Sequence, residues 1–324
     1  MPRIVTIGAA QLGPVPRVDT RADVVERLLA LLREAHERGC QLVVFPELAL
    51  TTFFPRWAMT DQREIDAFFE ATMPGPDTQP LFDEARRLGV GFVLGYAELT
   101  PAGEHFNTAI LVDQMGSIVH RYRKVHLPGH DQFEPWRRFQ HLEKRYFDVG
   151  REGFTVCRAY GGIVGMLICN DRRWPEAYRS LGLQGVELVC IGYNTPIHNP
   201  PAPDHDRLGD FHNHLAMQSA AYQNGTWVVG VAKGGTEEGV ESLCQSAIFA
   251  PSGQVVARAL TTSDELIVAA CDLDLCFNFK HTLFQMDRYR EPQHYARITS
   301  QKGVIDPPLE PDFTPAQFKI PRKP

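Results

Sequence analysis

The first 46 residues constrain the fold most. Residues 4–11 are a largely apolar run, which reads as a strand covered on both faces. Thr20 then opens a helix in which Val24, Val25, Leu28, Leu29, Leu31, Leu32 and Ala35 share one broad face, and Gly39 ends it. A second buried strand at 42–45 stops at Pro46-Glu47. Strand, helix and strand joined by short connections indicate an α/β protein.

The same signals continue along the chain. Phe53, Phe54, Pro55 and Trp57 mark residues 51–60 as a loop packed by its own rings. Helical patterns cover 61–72 and 79–88, separated by Pro74-Gly75-Pro76. Strands are expected at 90–96, 106–112 and 118–123, whose short turns make them antiparallel neighbours. Residues 124–150 are charged, aromatic and aperiodic, and a loop of that length in a compact domain is usually functional. Further strands are expected at 154–159, 163–168, 188–191, 227–232, 246–249, 255–260 and 266–272, and helices at 175–182, 206–224 and 275–284. No linker divides them, so residues 1–295 read as one domain and 296–324 as an extended, proline-rich tail.

Composition narrows the class of protein. A hydrophobic content of 44% and a charged content of 22% over 324 residues support a full-sized core. Net charge is −6 and no Lys/Arg run exceeds three residues, which argues against a nucleic-acid partner. No apolar stretch approaches the roughly 20 residues that span a bilayer. The start of the chain lacks secretory-leader features, and its seven cysteines form no CxxC pair. Reduced thiols in a cytoplasm are therefore expected.

One stretch carries chemistry openly. An apolar run ends at Ile168-Cys169, a polar burst Asn170-Asp171-Arg172-Arg173 follows, and Pro175 starts a helix. That places a thiol on a sharp turn above a sheet, beside two arginines. The alternative is a small buried cysteine. A thiol nucleophile needs a base or a cation. Glu47 after the strand at 42–45 and Lys124 after the strand at 118–123 stand at comparable strand ends, where reactive groups of open α/β sheets gather. A carboxylate in a dry pocket suits proton abstraction, and a lysine beside it suits an oxyanion. Alone, Glu47 reads as a solvated cap or a salt-bridge partner and Lys124 as a surface charge.

Together, Phe45-Pro46-Glu47, Tyr122-Arg123-Lys124-Val125-His126 and Ile168-Cys169-Asn170-Asp171-Arg172-Arg173-Trp174-Pro175-Glu176 resemble the nitrilase superfamily of carbon–nitrogen hydrolases. The resemblance covers about residues 4–295. It implies a four-layer α-β-β-α sandwich, usually dimerised through helices near the site, with no cofactor and no metal. The likeness extends to the branch acting on N-carbamoyl-D-amino acids. It rests on the segment from Phe45 to Trp57, His126-Leu127-Pro128-Gly129-His130, the segment from Phe139 to Phe147, Gly192-Tyr193-Asn194-Thr195-Pro196, His198-Asn199-Pro200-Pro201, Gln218 and Tyr222-Gln223-Asn224-Gly225. By that resemblance Glu47 is the general base, Lys124 stabilises the oxyanion, Cys169 attacks, and Glu143 orients the lysine and the substrate nitrogen. Arg172 and Arg173 would hold the substrate carboxylate, with Asn170, His126, His141, Asn194 and Thr195 lining the pocket.

Arginine's planar fork suits a carboxylate, so two of them beside a nucleophile indicate an anionic small-molecule substrate. The bland alternative pairs them with Asp171 or Glu176. Other substrates remain open: N-carbamoyl-β-alanine, a simple amide or a nitrile. His198, His205, His212 and His214 with Asp204, Asp206 and Asp210 form a cluster that a metal hydrolase could use, but it lacks fixed ligand spacing. A non-enzymatic interaction protein on the same fold is a further rival.

Overall fold

The structure, a computed structural model, describes residues 2–308. In chain order its elements are β1 (Ile4–Gln11), α1 (Arg21–Glu37), β2 (Leu42–Val44), α2 (Gln62–Asp66), α3 (Gln79–Leu88), β3 (Gly91–Leu99), β4 (His105–Val112), β5 (Ile118–Arg123), α4 (Glu143–Tyr146), β6 (Val156–Ala159), β7 (Gly162–Ile168), α5 (Pro175–Gly182), β8 (Leu188–Tyr193), α6 (Gly209–Asn224), β9 (Trp227–Ala232), β10 (Thr236–Glu237), β11 (Val240–Glu241), β12 (Ala247–Phe249), β13 (Val255–Arg258) and β14 (Glu265–Asp272). Short helical turns interrupt the loops.

The long strands form two six-stranded sheets, ordered β14-β1-β2-β3-β4-β5 and β13-β12-β9-β8-β7-β6. In each sheet three central strands run parallel and the flanking strands run antiparallel. Alternation along β2 shows how the layers stack. Leu42 and Val44 face the core between the sheets, together with Ile7, Val93, Cys190 and Val229. Val43 and Phe45 face outward, under Leu28 and Leu32 of α1 and Leu81 and Phe82 of α3. Ala177 and Leu181 of α5 and Met217 and Ala221 of α6 cover the outer face of the second sheet. The result is the α-β-β-α sandwich. Both faces of the central strands are covered, which is why they read as unbroken apolar runs.

Local signals hold where they are strongest. Thr20 and Asp23 form a reciprocal capping box at the start of α1, and Gly39 adopts φ +73° past its end. Three expectations change. The helix expected over 61–72 stops at Asp66, because Phe68 stacks on Phe54 at 4.8 Å and the Glu70 N–H bonds the Ala97 carbonyl of β3. The helix expected from 206 begins at Gly209; Asp206 is held in a preceding 3-10 turn by His198 Nδ1 (2.7 Å) and the Asn199 N–H (2.9 Å). The helix expected over 275–284 widens to a π-helix at Phe279–Phe284. The β10–β11 hairpin has two residues per strand, too short for a periodic signal.

The described residues form two compact units, 2–286 and 287–308. In the second unit a helical turn, Ala296–Ser300, stands where extended chain was expected, and 309–324 lie outside the described residues. Among the described residues no helix is long and apolar enough to cross a membrane. All seven cysteines are free thiols.

Candidate active site

Four chain segments meet at the carboxyl ends of the strands. Glu47 follows β2, Lys124 follows β5, Cys169 follows β7, and Asn194 and Thr195 follow β8. Two glycines let the sheets bring them together. A Cβ on Gly192 of β8 would sit 2.5 Å from the Glu47 nitrogen, and one on Gly95 of β3 would sit 2.8 Å from the Glu47 Cα. The Glu47 backbone is therefore held between glycines of both sheets. Gly192→Ala is expected to displace it, lowering activity by more than 10-fold and stability by about 1–3 kcal/mol. Parallel kinetics and thermal melts check this; full activity in the variant would show that the close approach does not matter.

Lys124 lies at the centre and is wholly buried. Its Nζ donates to Glu47 Oε1 and to Glu143 Oε2, each at 2.6 Å. An ammonium has three donors, so one remains for another oxygen. Glu47 is ligated on both oxygens: Oε1 also accepts from Asn107 Nδ2 (2.8 Å), and Oε2 accepts from the Asn194 N–H (2.9 Å). His141 Nε2 lies 3.1 Å from Glu143 Oε1. Cys169 Sγ lies 3.7 Å from the Asn194 carbonyl and from Thr195 Oγ1, and 3.8 Å from Arg172 Nη1. Cys169 adopts φ +46° and Leu48, next to Glu47, φ +47°, so both reactive positions lie at strained turns.

Electrostatics divides the two carboxylates. Burial raises the pKa of Glu47, Lys124's charge opposes this, and Glu143's charge raises it further. Burial acts likewise on Glu143, but Lys124 and His141 outweigh it and its pKa falls. Burial alone would lower Lys124, yet the charges of Glu143 and Glu47 hold its pKa above the ordinary lysine value. Burial and then the Glu47 charge raise the Cys169 thiol, while Lys124 and Arg172 pull it down. The thiol therefore rests protonated beside a carboxylate poised to accept a proton. Such a set can run proton-coupled nucleophilic attack with a cation ready for the developing oxyanion.

A cleft opens over the thiol, lined by Pro128, His141, Cys169, Asn170, Arg173, Asn194 and Thr195. The expected pocket residues thus meet, with two exceptions. Arg172 is buried: Nε donates to Asn213 Oδ1 (2.8 Å), Nη1 to the Cys169 carbonyl (2.7 Å) and Nη2 to Thr195 Oγ1 (3.0 Å), with the guanidinium 4.3 Å over the Tyr193 ring. Residues 169–173 form a 3-10 turn, in which neighbours project about 120° apart, and of the two arginines Arg173 lines the cleft. His126 also lies behind the lining. It stacks on Trp174 at 5.0 Å, its Nδ1 meets Asp171 Oδ1 (2.8 Å), and its carbonyl accepts from Asn170 Nδ2 (3.1 Å).

Asp171 instead accepts from His126, Tyr122 and the Ile168 N–H, and among the described residues neither Arg172 nor Arg173 pairs with a carboxylate. The histidine cluster splits, and His205 and His212 remain neighbours, ring centroids 6.0 Å apart. His198 pairs with Asp206 and His214 meets the Gln245 carbonyl. Among the described residues no three His, Cys, Asp or Glu side chains gather as metal ligands.

Sequence reasoning missed Asn107, although a polar Asn107-Thr108 pair inside the apolar β4 was a signal. It also missed Lys233 and Glu237, buried to 1% and 2% exposure; a lysine directly after the apolar β9 was the corresponding hint.

The two-sheet sandwich thus carries a buried Glu–Lys–Glu set beside a cysteine on a tight turn. The carbon–nitrogen hydrolase family model matches residues 6–281, and the chain belongs to that family. It is similar to the N-carbamoylputrescine amidase of Solanum lycopersicum, with 29% identity over 93% of this chain and 97% of that one. It is 30% identical to a nitrilase of Pyrococcus abyssi over 82% of this chain and 90% of that one. The crystal structure of a carbon–nitrogen hydrolase from Helicobacter pylori G27 superposes with TM-score 0.79 at 20% identity, covering 92% of this chain and 99% of that one.

Proposed function

We propose that this carbon–nitrogen hydrolase cleaves N-carbamoyl-D-amino acids, releasing the D-amino acid, carbon dioxide and ammonia. The observation that carries the substrate reading is Arg173. It lines the cleft beside Cys169, and among the described residues it has no carboxylate partner. A free guanidinium at that place favours a substrate carboxylate. It disfavours N-carbamoylputrescine, whose far end is cationic at neutral pH. The D configuration follows the motif resemblance, from Phe45 to Trp57 and from Gly192 to Pro201.

In the proposed reaction Glu47 takes the Cys169 proton as sulfur attacks the carbamoyl carbon. The third Lys124 N–H meets the oxyanion. Collapse breaks one C–N bond, and the departing amine takes the proton back from Glu47. Water, deprotonated by Glu47, then cleaves the thioester-like intermediate and restores the thiol, and the carbamic acid released breaks its remaining C–N bond to give carbon dioxide and the second amine. No cofactor enters. Arg173 holds the substrate, and Arg172 holds the nucleophile's turn.

The test is a panel of N-carbamoyl-D- and L-phenylalanine, N-carbamoyl-β-alanine, N-carbamoylputrescine and a simple amide. N-carbamoyl-D-phenylalanine is expected to turn over fastest. Arg173→Ala is expected to raise its KM by about 10- to 100-fold, the loss of one charge-assisted contact of roughly 1.5–3 kcal/mol, and to leave the amide unaffected. Fastest turnover of N-carbamoylputrescine would sink the substrate reading.

A further inference from the structure

Behind the cleft lies a second buried ion cluster, made by Arg56, Lys233 and Glu237, each under 5% exposed. Glu237 Oε1 accepts from Arg56 Nη2 (2.7 Å), the Phe53 N–H (2.7 Å) and Thr52 Oγ1 (3.1 Å). Its Oε2 accepts from the Val15 N–H (2.9 Å) and lies 3.1 Å from Lys233 Nζ. Arg56 Nη1 also donates to the Glu237 carbonyl. Lys233 Nζ donates to the carbonyls of Leu48 (3.4 Å) and Thr51. Three of its five donors, Thr52, Phe53 and Arg56, lie in the loop that follows Glu47.

Three bridges lead from the cluster to the reacting groups. Leu48 and Thr51 follow Glu47, so Lys233 pins the turn that carries it. The Arg56 carbonyl accepts the Gln140 N–H (3.1 Å) and the Pro55 carbonyl accepts the Leu142 N–H (2.8 Å), which seats His141 and Glu143. The Lys233 N–H donates to the Tyr193 carbonyl (2.9 Å), and the Leu243 N–H beyond the β10–β11 hairpin donates to the Thr195 carbonyl (2.8 Å), which brackets Asn194 and Thr195. The three segments come from different parts of the chain; Lys124 also joins Glu47 to Glu143, and the Asn194 N–H also reaches Glu47.

We infer that Glu237, clamped between Arg56 and Lys233, is a positioning residue that fixes the Glu47, Glu143 and Asn194–Thr195 segments against one another for the reaction. This rests on the proposed roles of Glu47, Lys124 and Cys169. A carboxylate that holds two cations and three further donors fixes loop geometry more sharply than an apolar plug would. A misplacement of about 1 Å in such a site costs about 100-fold in rate.

The experiment compares wild type, Glu237→Gln, Arg56→Lys and Cys169→Ala. Reactive sites are titrated with radiolabelled iodoacetamide, and turnover is measured on whichever panel compound the wild type hydrolyses fastest. Per titrated site, Glu237→Gln is expected to lower kcat by about 10- to 100-fold with KM within threefold. Arg56→Lys, which keeps the charge but loses the fork, is expected to fall between that variant and wild type. It carries the test alone if Glu237→Gln does not fold. A kcat per site within twofold of wild type in the soluble variants, with only the melting temperature lowered, would make the cluster purely structural and overturn the inference. Activity retained in Cys169→Ala would instead overturn the underlying roles, whatever Glu237→Gln does.

Discussion

Cys169→Ala is expected to lower turnover by at least about 10,000-fold while leaving the fold intact, because covalent catalysis has no second nucleophile to fall back on. The variant keeps the backbone at φ +46°, which alanine tolerates about as well as cysteine, and removes one buried sulfur. Little change in the melting temperature is expected. Iodoacetamide provides an independent reading. Burial pushes Cys40 and Cys157 up to about 11, and Cys271 and Cys276 up to about 12, and none of these lines the cleft. Burial also raises Cys169, but Glu47 stands ready for its proton and Lys124 and Arg172 favour its thiolate. Alkylation in wild type is therefore expected first at Cys169, in step with loss of activity. Equal turnover in wild type and Cys169→Ala, or inactivation tracking another thiol, would refute the proposed mechanism.

Lys124→Met is expected to have the second largest effect, abolishing turnover and costing about 3–5 kcal/mol of stability at neutral pH. The substitution leaves Glu47 and Glu143 buried, close together and without their shared cation. The sign with pH follows from burial. In the variant, burial and mutual repulsion raise both carboxyl pKa values in the folded chain above the unfolded value of about 4.3. Groups raised in this way leave stability intact below the unfolded pKa, and it is lost as pH rises toward the folded value. The deficit against wild type should thus be smallest near about pH 4 and largest above about pH 7. Denaturant unfolding of both proteins across that range checks it. A deficit that grew on acidification would mean that the carboxylates do not depend on Lys124.

Much of the fold was legible because the central strands are covered on both faces and their apolar runs admit few alternatives. Glu47, Lys124 and Cys169 were legible from their places after the strands β2, β5 and β7, although β5 is a half-exposed edge strand. Arg172 and Arg173 show the limit. Adjacent and chemically identical, they were expected to share the substrate carboxylate. The tight turn at 169–173 buries one against Asn213, Thr195 and Tyr193 and leaves the other on the cleft. His126 was expected in the lining and instead stacks on Trp174 behind it. Phe68 and Phe69 could have continued a helix, but contacts with Phe54 drew them into a loop cluster.

What the sequence determined by itself is periodic or local: strands, caps, strand-end reactive residues and their order along the chain. These depend on neighbours within a few positions, so no distant partner can rewrite them. Tertiary structure alone decided which groups touch. The meeting of Glu47 with Asn107 and the Asn194 N–H, the glycines that let two sheets close on one backbone, and the Arg56–Glu237–Lys233 clamp all join residues remote in sequence. Burial then set the proton affinities, since the charged forms of Glu47 and Cys169 are disfavoured only where water is excluded.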